Sequence, residues 1–191
     1  GTTHAFSWTQ AGGMVNLGTL GGTGSQANAV NASGQIIGYS FLADGTTHAF
    51  SWTQARGMVN LGTLGGIGSQ ANAVNASGQI VGYSYTTDGA YHAFSWTQAG
   101  GMVDLGTLGG YSSQAIAVND SGQIVGWAFT ADGTTHAFSW TQAGGMVNLG
   151  SLGGTYSGAN AVNASGQIVG GASAADGASR AVLWQAPQST N

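Results

Sequence analysis

The sequence predicts an all-β protein, a small β-propeller of four-stranded antiparallel blades, and three observations lead there. One unit recurs every 44 residues: His4, His48, His92, His136 and Arg180 are equally spaced, as are Trp8, Trp52, Trp96, Trp140 and Trp184. Periods of about 20–50 residues mark solenoids, propellers and arrays. Each unit holds four short strand-like runs separated by turn chemistry. Glycine occurs 36 times in 191 residues, and no segment keeps a helical period, so helices are not expected.

The elements follow in order from Ser25. Residues 27–31 form the first run. Asn31-Ala32-Ser33-Gly34 then suits a type I turn with glycine in the left-handed position of a bulge. Residues 35–41 form the second run, with β-branched Ile36 and Ile37. Asp44-Gly45 makes the next turn, and residues 48–53 the third run. A loop through Gln54, Ala55, Arg56 and Gly57 leads to the fourth run, residues 58–61. Gly62 to Gly66 connects to the following unit.

The third run argues for stacked blades. His48, Phe50 and Trp52 share one face and Ala49 and Ser51 the other, because side chains alternate along a strand. A sheet with one wet face would carry polar residues there. One bulky and one flat face instead suit packing of each sheet against the next. The alternatives are a five-bladed ring with one partial blade, or a β-solenoid or fibre.

The chain reads as a single repeat domain: repeats 1–44, 45–88, 89–132 and 133–176, with a closing strand in 177–191. Four blades would need composite closure, combining residues 161–163 and 167–172 with residues 14–17. Strands 4–8 and 180–184 would then compete for one slot, and the loser would offer an edge for self-association.

Composition narrows the function classes. The chain has two cations, Arg56 and Arg180, against six Asp, with no Lys and no Glu. Such a chain cannot neutralise a run of phosphates, so nucleic acid is not an expected partner. No run approaches the roughly 18 apolar residues of a membrane helix, so membrane insertion is not expected. Cysteine is absent, which removes disulfides and thiolate metal sites.

The patterns His-Ala-Phe-Ser-Trp, Gly-Met-Val-Asn-Leu-Gly-Thr-Leu-Gly-Gly and Ala-Val-Asn-Ala-Ser-Gly-Gln-Ile-Val-Gly resemble the bacterial HAF-repeat family. The His-Ala-Phe triplet stands at 4–6, 48–50, 92–94 and 136–138. The resemblance covers the whole chain and implies a secreted protein, extracellular or at the cell surface, whose leader is not present in this chain. The last unit departs from the motif with Arg180-Ala181-Val182-Leu183-Trp184. Pro187 and the polar tail after it read as a C-terminal end, and Gly1 falls mid-pattern.

No catalytic constellation is evident, and neither an enzyme activity nor a cofactor is expected. The four His are symmetry equivalents and no second ligand stands beside any of them, so they read as half-buried and hydrogen-bonded. The Asp-Gly pairs read as hairpin turns, since a calcium loop needs several closely spaced oxygen ligands. Gly18 to Gly22 lacks the Lys and the helix of a phosphate loop. Asp120 replaces the Ala of the other units and reads as drift. The repeated Trp residues read as packing.

Differences between units collect in two connections, fourth-to-first and second-to-third. In an up-and-down blade these lie at one end, here called the variable end; the other two connections form the constant end. One variable face is what a recognition surface looks like. Its candidate ligand-binding residues are Tyr91, Tyr111, Tyr156, Asp88, Gln70 and Gln114, since phenols beside amides and carboxylates suit sugar rings and hydroxyls. The expected function is a non-enzymatic, lectin-like binding module with a glycan or another surface protein as partner. The alternative is a structural or adhesive surface element that self-assembles by strand exchange.

Overall fold

A computed structural model of the chain describes residues 2–185; the tail beginning at Pro187 lies outside the described residues. The described residues contain seventeen strands and no helix. An N-terminal pair comprises β1 (Ala5–Thr9) and β2 (Gly13–Gly18). Unit one holds β3 (Gly21–Val30), β4 (Ile36–Leu42), β5 (Thr47–Thr53) and β6 (Gly57–Asn60). Unit two holds β7 (Gly65–Val74), β8 (Ile80–Thr86), β9 (Tyr91–Thr97) and β10 (Gly101–Asp104). Unit three holds β11 (Gly109–Val118), β12 (Ile124–Thr130), β13 (Thr135–Thr141) and β14 (Gly145–Asn148). The C-terminal unit holds β15 (Gly153–Val162), β16 (Ile168–Ala174) and β17 (Ser179–Trp184).

Within each unit the strands pair antiparallel in chain order. The expected turns are present. In the first, the Gly34 amide donates to Asn31 O and the Asn31 amide to Gln35 O, both at 3.0 Å, with Gly34 at φ 80°. In the second, the Gly45 amide donates to Leu42 O at 3.1 Å. Each third-strand His ring is half-buried and hydrogen-bonded to the fourth strand, as His48 Nδ1 is to Asn60 Oδ1 at 3.0 Å.

The first strand differs from its expected span. It starts near Gly21 rather than at Ala27, so the fourth-to-first connection is mostly strand. The early half of β7 bridges in parallel to β5 of the preceding unit, Thr47 to Gly68. Its later half pairs antiparallel with β8 of its own unit. Backbone groups that would be unpaired in a loop are satisfied by this double engagement. The change of partner falls within a register shift between Gly65 and Ser69, and a second shift, at Ala71–Ala73, follows within the β7–β8 pairing.

Consecutive units stack bulky face on flat face. Phe94, Ile80, Val74, Trp96 and Met102 of unit two pack on Ile37, Ala49, Leu61 and Ala29 of unit one. The arrangement repeats between units two and three around Phe138. Amide ladders run along the stack: Asn31 Nδ2 donates to Asn75 O, Asn75 to Asn119 O and Asn119 to Asn163 O, at 2.9–3.0 Å. Asp120 is more than drift. Its Oδ1 accepts from the Ala76 amide of the preceding unit at 2.9 Å.

Every extensive strand contact lies within a unit or between units adjacent in sequence. The outermost faces are therefore uncovered. Trp8, expected to pack like its equivalents, is 64% exposed and Phe6 55%, because among the described residues no sheet lies on the bulky face of β1 and β2. At the far end the flat-face residues Val169 and Leu183 are exposed. Strand β2 pairs with β1 and strand β17 with β16.

Candidate functional site

The variable end is built by the start of each first strand and by the second-to-third hairpin. In β8, Tyr83 and Tyr85 flank buried Ser84 and so share one face. Trp127 and Phe129 do the same in β12 around Ala128. Tyr91 opens β9 opposite Tyr85. Together these rings form a continuous row crossing from unit two to unit three. Tyr91 lies 5.6 Å from Tyr83, 5.8 Å from Tyr85 and 6.1 Å from Trp127, and Trp127 lies 5.9 Å from Phe129. All these contacts are edge-to-face, the arrangement favoured by the ring quadrupole. Unit one carries only the pair Tyr39 and Phe41, at 6.3 Å.

Of the six expected residues, Tyr91 stands in the row and the other five surround it. Gln70 Oε1 accepts from Tyr83 Oη at 3.4 Å, and Gln114 stands opposite Trp127 in the β11–β12 register. The exposed Tyr111 reaches over the Asp88–Gly89 turn, where a methyl added at Gly89 would lie 3.7 Å from its hydroxyl. The exposed Tyr156 folds back over Gly158, close to Trp127. Asp88 is engaged by its own turn, accepting from Thr86 Oγ1 at 2.5 Å and from the Ala90 amide at 3.2 Å. Burial pushes the Tyr83 and Tyr91 phenols up, and neighbouring tyrosines add to the shift.

Sequence reasoning missed four members of the row: Tyr83, Tyr85, Trp127 and Phe129. The signal was present, since each pair is two residues apart on the second strand and therefore on one face. Tyr111, Tyr156, Gln70 and Gln114 lie in strands rather than in the expected loops, for the backbone reason given above.

No known family model matches the chain, and no curated protein is significantly similar to it. Its own geometry therefore carries the argument. Among the described residues no three His, Cys, Asp or Glu side chains come together as a metal site would require. The shortest contact there between an imidazole and a carboxylate is His92 Nδ1 to Asp104 Oδ2 at 2.8 Å, where Asp104 replaces the Asn of the other units.

The hairpin carboxylates are tuned by their turns. Asp132 accepts from Thr130 Oγ1, from the Thr134 amide at 3.1 Å and from Thr134 Oγ1 at 2.9 Å. These bonds, the Thr130 hydroxyl first, lower its pKa from 3.8 to about 2. The folded-state value lies below the unfolded one. The stabilisation is therefore full above pH 3.8 and is lost as pH falls toward 2. A carboxyl-carbon NMR titration is expected to place Asp132 near 2, and Thr130→Val to move it back toward 3.8. An unmoved midpoint in that variant would assign the shift to another group.

Proposed function

We propose that this chain is a non-enzymatic extracellular binding module, lectin-like, that recognises its ligand at the variable end. The observation that carries the reading is the unbroken aromatic row from Tyr83 to Phe129, bordered by the exposed Tyr111 and Tyr156. Rings held edge-to-face are fixed in place, so a ligand meets a surface that needs little ordering. The amides of Gln70 and Gln114 supply hydrogen bonds beside it. The HAF-repeat resemblance supports an extracellular site of action. Glycan-array screening with the protein displayed multivalently tests the reading. Retention of a defined glycan set, reduced about tenfold or more by Tyr91→Ala, is expected for a central aromatic contact. An array that retains nothing sinks the reading, and equal retention by the variant moves the site elsewhere.

A second reading, structural self-association, is favoured by the uncovered end faces. The bulky face of β1 and β2 and the flat face of the C-terminal unit are the two halves of the interface made repeatedly inside the chain. Meeting within one chain, they would close a ring of five blades in which the N-terminal pair is the partial one. Meeting between chains, they give a head-to-tail polymer. Light scattering across a wide concentration range separates these: a constant mass near 18.9 kDa supports closure, and growth with concentration supports polymerisation.

A further inference from the structure

The constant end carries grooves of its own, one between units one and two and one between units two and three. Between units two and three the cavity is about 500 Å³, with Gln79 and Ser95 as its floor, Trp140 as one wall, and Thr97, Thr141 and Gln142 at the rim. One unit earlier the equivalent cavity is about 230 Å³, with Gln35 and Ser51 below and Trp96 and Gln98 beside them. The groove recurs because its parts belong to the repeat. The small serine on the flat face of one unit stands opposite the tryptophan on the bulky face of the next, and the gap stays open.

The floor is pre-set. Gln79 Nε2 donates to Ser95 Oγ at 2.9 Å, and its Oε1 accepts from Asn75 Nδ2 at 3.2 Å. Gln35 makes the same two bonds, to Ser51 and from Asn31. The serine oxygen is thereby used as an acceptor, which leaves its O–H to donate. In the C-terminal unit the Trp184 indole N–H is held by Leu149 O at 3.0 Å. Among the described residues no such bond holds Trp96 or Trp140, and the side-chain amides of Gln98 and Gln142 are likewise without partners. Each groove thus presents a half-buried indole, a hydroxyl donor and a free amide.

Charge decides the ligand class. The first groove has Arg56 in its lining and the second has Asp120, so a charged ligand that suits one is repelled by the other. We infer that the constant end is a second binding surface, taking consecutive sugar residues of a neutral polysaccharide in successive grooves. Indole faces stack on the C–H face of a pyranose, and hydroxyls and amides bond its rim. Grooves built from the same repeat positions suit a periodic polymer, whose weak single sites add through multivalency. This inference goes beyond the variable-end reading and does not rest on it.

The test is an indole-region NMR titration of the 191-residue chain with cellohexaose, laminarihexaose and mannohexaose, using hexagalacturonate as the charged comparison. The Trp96 and Trp140 indole signals are expected to shift with at least one neutral hexasaccharide, with a Kd of about 1 mM, while Trp184 stays in place. The Gln98→Ala, Gln142→Ala double variant should weaken binding about fivefold, the loss of a hydrogen bond per site. Tyr91→Ala should leave it unchanged. Indole signals that ignore all three neutral sugars overturn the inference. So does an equal response to hexagalacturonate, or binding that Tyr91→Ala removes. The last outcome would return recognition to the variable end, so failure of this inference is distinguishable from failure of that reading.

Discussion

Phe94→Ala is expected to destabilise the protein by about 3–5 kcal/mol, the usual cost of emptying a buried phenylalanine site. Phe94 is fully buried among Ile37, Ala49, Leu61, Ala71 and Ile80. Those residues belong to two sheets that are already hydrogen-bonded into fixed positions, so the site cannot collapse to fill the space. Phe6 is the same residue at the same place in the repeat, yet it is 55% exposed. Phe6→Ala should change stability by no more than about 0.5 kcal/mol, as surface substitutions do. Urea denaturation of the two variants beside the parent measures both. Equal losses would mean that Phe6 is covered in solution, either by closure of the stack or by a second chain. Concentration dependence of the Phe6→Ala effect would tell those two apart.

Gly82→Ala is expected to cost about 3 kcal/mol, the upper end of what overpacking does. An added Cβ would lie 1.9 Å from Gln70 O and 3.0 Å from Ala71 Cα. Both are backbone atoms of the paired first strand, so no side chain can swing aside. The closeness belongs to the bulge at Ala71–Ala73, which brings the two strands together opposite Gly82. Gly38, Gly126 and Gly170 stand in the same position of their units with the same contact. The control is Gly171→Ala, one residue beyond Gly170. Its added Cβ would meet nothing nearer than Arg180 O at 3.7 Å, and other units carry Tyr39, Tyr83 and Trp127 there. That variant should be neutral within about 0.5 kcal/mol. Thermal or urea unfolding of the pair checks the contrast, and a neutral Gly82→Ala would show that the bulge is not as tight as described.

The repeat made much of this fold legible. Asn31 to Gly34 and Asp44-Gly45 announce their turns, because glycine at a left-handed position and a side chain that bonds its own backbone are local chemistry. The alternation in His48 to Trp52 announces the two faces of the sheet, and the packing of aromatic on small side chains follows from it. The start of the first strand was not legible. Residues 65–70 carry the Gly-Gly and Gly-Ser chemistry of a loop, and they become strand only because two neighbouring strands offer them hydrogen bonds. Asp120 looked like drift for a similar reason, since its partner, the Ala76 amide, belongs to another unit.

The candidate surfaces divide the same way. The aromatic row and its border were half legible: Tyr91, Tyr111, Tyr156 and Trp127 stand out as departures from the repeat, whereas Tyr83, Tyr85 and Phe129 pass as strand residues until neighbouring units bring them together with Trp127. The grooves at the constant end were not legible at all, since nothing in a residue's identity says that Ser95 will face Trp140 across a gap. By itself the sequence determined the period, the strands, the turns and the two-faced character of each sheet, all of which rest on interactions between residues close in the chain. Only the tertiary structure decided which face meets which neighbour, where β1, β2 and the C-terminal unit are left uncovered, and where stacking leaves an opening, because those depend on contacts across a whole unit.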